Sequence, residues 1–129
     1  SNQAALAGSV KVGNGAILGG YAIVHQYCSL GEYSFCAMGS AVNKDIPAYV
    51  KVSGNPAKPF GINSVGLKRW GFSQEVVESI KSAYRILYRK KLTTDEALKE
   101  LKIFNSELNH EEIDSFISSV EASTRGISR

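Results

Sequence analysis

Residues 6–42 read LAGSVK VGNGAI LGGYAI VHQYCS LGEYSF CAMGSA V. Broken at every sixth position, the stretch opens each time on an apolar or small residue: Leu6, Val12, Leu18, Val24, Leu30, Cys36 and Val42. Four residues after each of the first six come Val10, Ala16, Ala22, Cys28, Ser34 and Ser40, nearly all small. A period of six is neither the 3.6 of an amphipathic helix nor the simple alternation of a strand. It is the period of a hexapeptide β-solenoid, in which each hexad supplies one short strand and one corner. The apolar residue fills a narrow bore, and the small one lets the chain bend without a clash. An ordinary β-rich domain with accidental spacing rarely yields seven such positions in succession.

Outward from this stretch the composition changes. The period breaks near Pro47, and residues 1–54 hold only Lys11, Glu32, Lys44, Asp45 and Lys51 as charges, whereas 66–129 are densely charged. The expected fold is therefore a β-solenoid plus α: hexapeptide coils over 1–54, a linker over 55–72 and an α-helical domain over 73–129. Pro47 ends the last hexad in this reading, and Pro56, Pro59, Gly54 and Gly61 build a stiff connection. Ser73 reads as an N-cap, with Val76, Ile80, Ala83, Tyr84 and Leu87 on one face of the helix that follows and Arg89, Lys90 and Lys91 closing it. Thr93 with Glu96 is a capping-box pattern that opens a second helix, Leu98 and Leu101 inward. Asn109 with Glu112 opens a third, carrying Ile113, Phe116, Ile117 and Val120. These helices are expected to pack on one another and on the C-terminal end of the solenoid, covering its last edge. Its first coil has no cap before it and would present an unpaired edge, so the chain reads as the C-terminal part of a longer protein.

The net charge of +3 is mild, and no basic block interleaved with aromatics points to nucleic acid. No run of eighteen apolar residues spans a membrane and no signal peptide opens the chain, so a reducing, cytoplasmic setting is expected. Cys28 and Cys36 fall on repeat positions and read as small core residues, not as a disulfide or metal pair. Gly13-Asn14-Gly15 and Gly19-Gly20 lack the spacing of a phosphate loop and are read as corner residues with permissive backbones. His110, beside a helix N-cap among carboxylates, reads as solvated. Neither a metal nor a cofactor is expected.

One family carries the same motifs. Gly19-Gly20 with Val24-His25-Gln26, the run Gly54-Asn55-Pro56-Ala57-Lys58-Pro59-Phe60-Gly61-Ile62-Asn63, Gly66-Leu67-Lys68-Arg69 with Gly71-Phe72-Ser73, and Ser123-Thr124-Arg125-Gly126 together resemble the bacterial acyl-[acyl-carrier-protein]–UDP-N-acetylglucosamine O-acyltransferases. The likeness runs the length of the chain and covers the later half of such an enzyme. It implies a left-handed parallel β-helix, an exception to the right-handed crossover rule, and a homotrimer with sites in the clefts between subunits. It implies transfer of an R-3-hydroxyacyl group from acyl carrier protein to the 3-hydroxyl of UDP-N-acetylglucosamine, the first step of lipid A synthesis. The reaction needs a base at the hydroxyl. The family's histidine base sits in earlier coils and no residue here matches it, so this chain is expected to carry binding elements, no catalytic residue and no activity alone.

The same resemblance assigns the site residues. His25 does not hold the inward position of its hexad, which belongs to Val24, so it is expected to project outward. Its plainer reading is a surface histidine, but the resemblance places His25 and Gln26 at the substrate cleft. Lys68 and Arg69 could be a bland basic linker; by resemblance Asn63 and Arg69 hold the UDP portion, where an arginine fork suits diphosphate oxygens. Met38 is flanked by Cys36 and Ser40 at the inward positions, so it should point away from the bore. By resemblance it lies along the acyl tail, where bulk shortens the chain that fits. The sequence departs from the family at Trp70, where a second arginine is common, at Val65, where a carboxylate can occur, and at Ser9, where some members carry histidine. Rival readings are the later N-acyltransferase of the same pathway, another hexapeptide acyltransferase, or a non-catalytic trimerising module.

Overall fold

The structure, a computed structural model, describes residues 3–129; the first two positions of the expected 1–54 segment lie outside the described residues. Seven two-residue strands follow one another: β1 (Ala5–Leu6), β2 (Lys11–Val12), β3 (Ile17–Leu18), β4 (Ile23–Val24), β5 (Ser29–Leu30), β6 (Phe35–Cys36) and β7 (Ala41–Val42). Strands three apart pair in parallel, with Leu6 opposite Val24, Val12 opposite Leu30 and Leu18 opposite Cys36. Three hexads thus make one coil of 18 residues, and each coil gives one strand to each of three sheets. The predicted inward residues fill the interior: Val24, Cys36 and Val42 are fully buried and Leu30 nearly so. At the N-terminal end of the stack, Leu6 and Val12 have a coil on one side only and are 49% and 43% exposed.

Three residues after each inward residue the backbone turns through the left-handed region, at Ser9, Gly15, Tyr21, Tyr27, Tyr33 and Gly39, with φ between +56° and +72°. For a side chain other than glycine that region costs about 1–2 kcal/mol. The stack holds the corners by coil-to-coil bonds, the N–H of Tyr27 donating to Gly8 O (3.1 Å) and that of Tyr33 to Asn14 O (2.9 Å). The glycine expectation is corrected accordingly. Of Gly13, Gly15, Gly19 and Gly20, only Gly15 takes a positive φ. Gly13 and Gly19 lie where a Cβ would come within 2.7 Å of Glu32 N and 2.6 Å of Met38 N in the next coil, so close stacking excludes a side chain there.

Pro47 does not end the coils. The chain shortens by two residues after Val42, and the inward series resumes at Ile46 and Val52, both buried. Leu30 faces Ile46 and Cys36 faces Val52, each 16 residues ahead, so a last strand β8 (Val50–Ser53) stacks on β6. Three different segments then close the three sheet edges. Strand β9 (Lys58–Ile62) returns antiparallel along β8. The 54–57 loop covers β7, with Ala41 N donating to Gly54 O and Ala57 N to Ala41 O. The C-terminal segment covers the edge at Asp45, whose N–H donates to Gly126 O while its C=O accepts from Ser128 N. The buried Asp45 carboxylate accepts from Ser29 N (2.8 Å) and the Ser123 hydroxyl (2.6 Å), tying that segment down. The helices do pack on that end as expected. The sheet edges themselves are closed by these strand and loop segments, which corrects the expectation that the helices cover them.

The 55–72 span, expected as a linker, therefore contains β9 and a short helix α1 (Ser64–Arg69), with the Asn63 side chain accepting from Gly66 N. Helix α2 (Gln74–Tyr88) starts at the Ser73 N-cap, and α3 (Thr94–Leu108) starts at a complete capping box of Thr93 and Glu96. Asn109 is not the next N-cap. It takes the left-handed conformation that closes α3 (φ +54°), and His110 begins α4 (Glu111–Glu121). Asparagine suits both positions, and here the short reversal between two helices needs the positive φ. Nor is the His110 ring wholly solvated: its Nε2 is buried without a hydrogen-bond partner. Helix α4 lies on the end of the stack, where Tyr49 Oη donates to Glu112 O (2.8 Å), Ala48 N donates to Ser119 Oγ (3.0 Å) and the Tyr49 ring stacks on Phe116.

Candidate functional site

The predicted site residues stand on different edges of the three-sided stack. His25 and Gln26 are exposed on the corner between β4 and β5, directly after buried Val24. Met38 is 76% exposed on the corner between β6 and β7, while Cys36 and Ser40 beside it are buried. Asn63 and Arg69 belong to the third edge, between β5 and β6. Asn63 N donates to Tyr49 O there (2.9 Å), and Trp70, next to Arg69, meets the Tyr33 ring at 5.6 Å.

Within one copy the chain does not bring these residues into one pocket. Sequence reasoning cannot show this, because corner residues at six-residue spacing look alike until the coil is wound.

On the third edge the local chemistry is well defined. Asn63 is nearly buried and holds α1 by its side-chain oxygen, leaving its amide nitrogen as a donor. Lys68 and Arg69 close the same helix and are exposed. Trp70 continues an aromatic row in which Tyr33 meets Phe72 edge-on (5.1 Å) and stacks on Tyr49 (6.3 Å). Val65 is 65% exposed on the first turn of α1, so no carboxylate stands there.

The sequence reading missed a second basic surface. Lys81 and Arg85 of α2 and Arg89 at its C-cap, spaced by four, line a groove of about 590 Å³ with Gly61, Ser64 and Tyr84. Burial pushes the Tyr84 hydroxyl above its ordinary range, against the opposing pull of Arg89. The spacing alone could have revealed this stripe, since residues four apart share a helix face.

Cys28 and Cys36 are buried free thiols. Burial pushes Cys36 up to about 11, and it raises Cys28 as well, with the Asp45 charge adding to the shift. Among the described residues no three His, Cys, Asp or Glu side chains gather into a metal-binding group. No described helix is long and apolar enough to cross a membrane.

Two-residue parallel strands at an 18-residue pitch, capped by helices, define a hexapeptide-repeat protein. Within that class, the domain-2 pattern of the UDP-N-acetylglucosamine O-acyltransferases matches residues 45–128. An acyl-[acyl-carrier-protein]–UDP-N-acetylglucosamine O-acyltransferase of Stutzerimonas stutzeri is 50% identical over 128 residues, 99% of this chain and 49% of that protein. The solved UDP-N-acetylglucosamine acyltransferase of Francisella novicida superposes with a TM-score of 0.93 at 38% identity, over 99% of this chain and 46% of that one. The Arabidopsis enzyme gives 0.92 at 32%, over 99% and 47%. The chain belongs to the UDP-N-acetylglucosamine O-acyltransferase family, and it spans about half the length of the curated relatives it matches.

Proposed function

We propose that the chain supplies the substrate-binding coils and helices of an enzyme that moves an R-3-hydroxyacyl group from acyl carrier protein to the 3-hydroxyl of UDP-N-acetylglucosamine, in the cytoplasm, at the start of lipid A synthesis. The sugar oxygen attacks the thioester carbonyl, the carbon–sulfur bond breaks and the carrier thiol leaves. The proton of the attacking hydroxyl goes to a base, and this chain's own residues bind and orient without supplying it. The coils are read as left-handed, the sense the family resemblance implies, and the chain is divided into coils (1–54), a joining segment (55–72) and a helical unit (73–129).

The observation that carries this reading is the α1 edge: Asn63 fixed at the start of the helix and Arg69 exposed at its end, on a fold that matches relatives named for a UDP-sugar. Asn63 and Arg69 are assigned to the UDP portion, His25 and Gln26 to the cleft, and Met38 to the acyl tail. That one copy leaves these groups on separate edges supports a homotrimer whose sites lie between subunits. So do the exposed Ile17, Ile23, Tyr21 and Tyr27 on the sides of the stack. The Lys81–Arg85–Arg89 stripe supports an acidic carrier protein as the second partner.

Arg69→Ala tests the nucleotide assignment. A charge-assisted phosphate contact contributes about 1.5–3 kcal/mol, so the Kd for UDP measured by calorimetry should rise roughly ten- to a hundredfold. An unchanged Kd would reduce Arg69 to a basic linker residue.

A further inference from the structure

Trp70 is the one tryptophan of the chain and is 60% exposed, although indole is among the side chains that gain most from burial. It is nevertheless held in place. Its ring stands at 5.6 Å and 67° to Tyr33, and its backbone N–H donates to Gly66 O at 3.0 Å. Tyr33 is itself fixed by Phe72 and Tyr49, and Tyr49 by Phe116 of α4. An aromatic row anchored in the helical core thus ends in an indole whose surface is largely open. Beside it Arg69 offers a guanidinium, and Asn63 begins the same six-residue helix.

A mononucleotide presents a diphosphate and a flat ring on either side of a ribose. The pair Arg69–Trp70 offers one group suited to each: a charged fork for the oxygens and an immobilised π-face for the base.

We propose that Trp70 is the platform on which the pyrimidine ring of the nucleotide sugar stacks, making it a binding residue for that substrate. The proposal rests on the nucleotide-sugar reading of the α1 edge. Because stacking uses only the face of the ring, Trp70 favours a nucleotide over a bare diphosphate and does not itself choose between pyrimidines.

The single tryptophan makes the test direct. UDP and inorganic pyrophosphate are titrated into the whole chain while Trp70 emission and binding heat are followed in parallel. UDP should change the emission saturably, with the midpoint matching the calorimetric Kd, and pyrophosphate should not. Trp70→Ala should weaken UDP roughly five- to hundredfold and leave pyrophosphate affinity unchanged, whereas Trp70→Phe should recover most of the loss. Circular dichroism checks that each variant keeps its helices.

UDP binding with silent emission, and equal UDP affinity in Trp70→Ala, would overturn the proposal. So would emission that follows protein concentration instead of UDP, since the indole would then be covered by a second copy of the chain. Absence of UDP heat from the unmodified protein is a separate failure: it removes the nucleotide reading first, before Trp70 is altered, and the proposal with it.

Discussion

Met38 and Cys36 sit two residues apart in one hexad and live in opposite surroundings, the first 76% exposed and the second fully buried. Their side chains are therefore separable by experiment. If Met38 bounds the acyl groove, extra methylenes forced against it lose more than the ~0.8 kcal/mol each would gain by burial. In the enzyme containing this chain, Met38→Gly should shift the donor preference toward longer hydroxyacyl chains. Ratios of kcat/KM for donors of different length measure it, and equal ratios in both proteins would leave Met38 without a length role. For Cys36 and Cys28, burial raises both thiols, Cys36 to about 11, and both side chains are inaccessible to solvent. Ellman's reagent should label no thiol in the native chain and two after unfolding. Fast native labelling would mean that the coils open. That Met38 faces out and Cys36 in was legible from the period, but the assignments proposed for His25, Gln26 and Met38 were not. Exposure at a corner leaves no mark in composition, and only the family resemblance singles these residues out.

Among the elements, the strands and the three longer helices follow closely from sequence, because each has a repeated physical signal: six-residue spacing, or an apolar stripe behind a capping residue. The misreadings share a cause. The step from Val42 to Ile46 is two residues short of a hexad, so a strict count of six loses the series, which resumes at Ile46 and Val52. Helix α1 is too short to display a stripe, with Leu67 its one buried residue. Asn109 fits either end of a helix, and only the tight reversal into α4 decides. The capping box of α3 offers a measurable consequence. Thr93→Ala removes the acceptor for Glu96 N (3.2 Å) and should cost about 1 kcal/mol, read as a lower Tm. Hydrogen bonds from Thr93 lower the Glu96 pKa in the folded state. The Glu96 contribution is thus fully present above the unfolded glutamate value of about 4.3 and is lost as pH falls through the depressed folded value. The Tm difference between wild type and Glu96→Gln should accordingly shrink as pH drops below about 4.

At the scale of the molecule, the arrangement of candidate ligand groups on three edges makes assembly the first quantity to measure. Light scattering at micromolar concentration should give three times the 14.0 kDa chain mass. A stable monomer would leave His25, Met38 and Arg69 on separate edges and would undo the proposed site between subunits.

The edge closures described above also give the stack a direction. Any ladder of parallel strands can template the next strand from its open rung, whether from its own chain or from a stranger. At the C-terminal end three unrelated pieces of backbone occupy the three open rungs: a reversed strand, a loop and the final residues held by Asp45. A further parallel coil therefore cannot stack on that side, because each rung is already paired. The stack thus has a finished end at its C-terminal side, where the next parallel strand has no rung to copy.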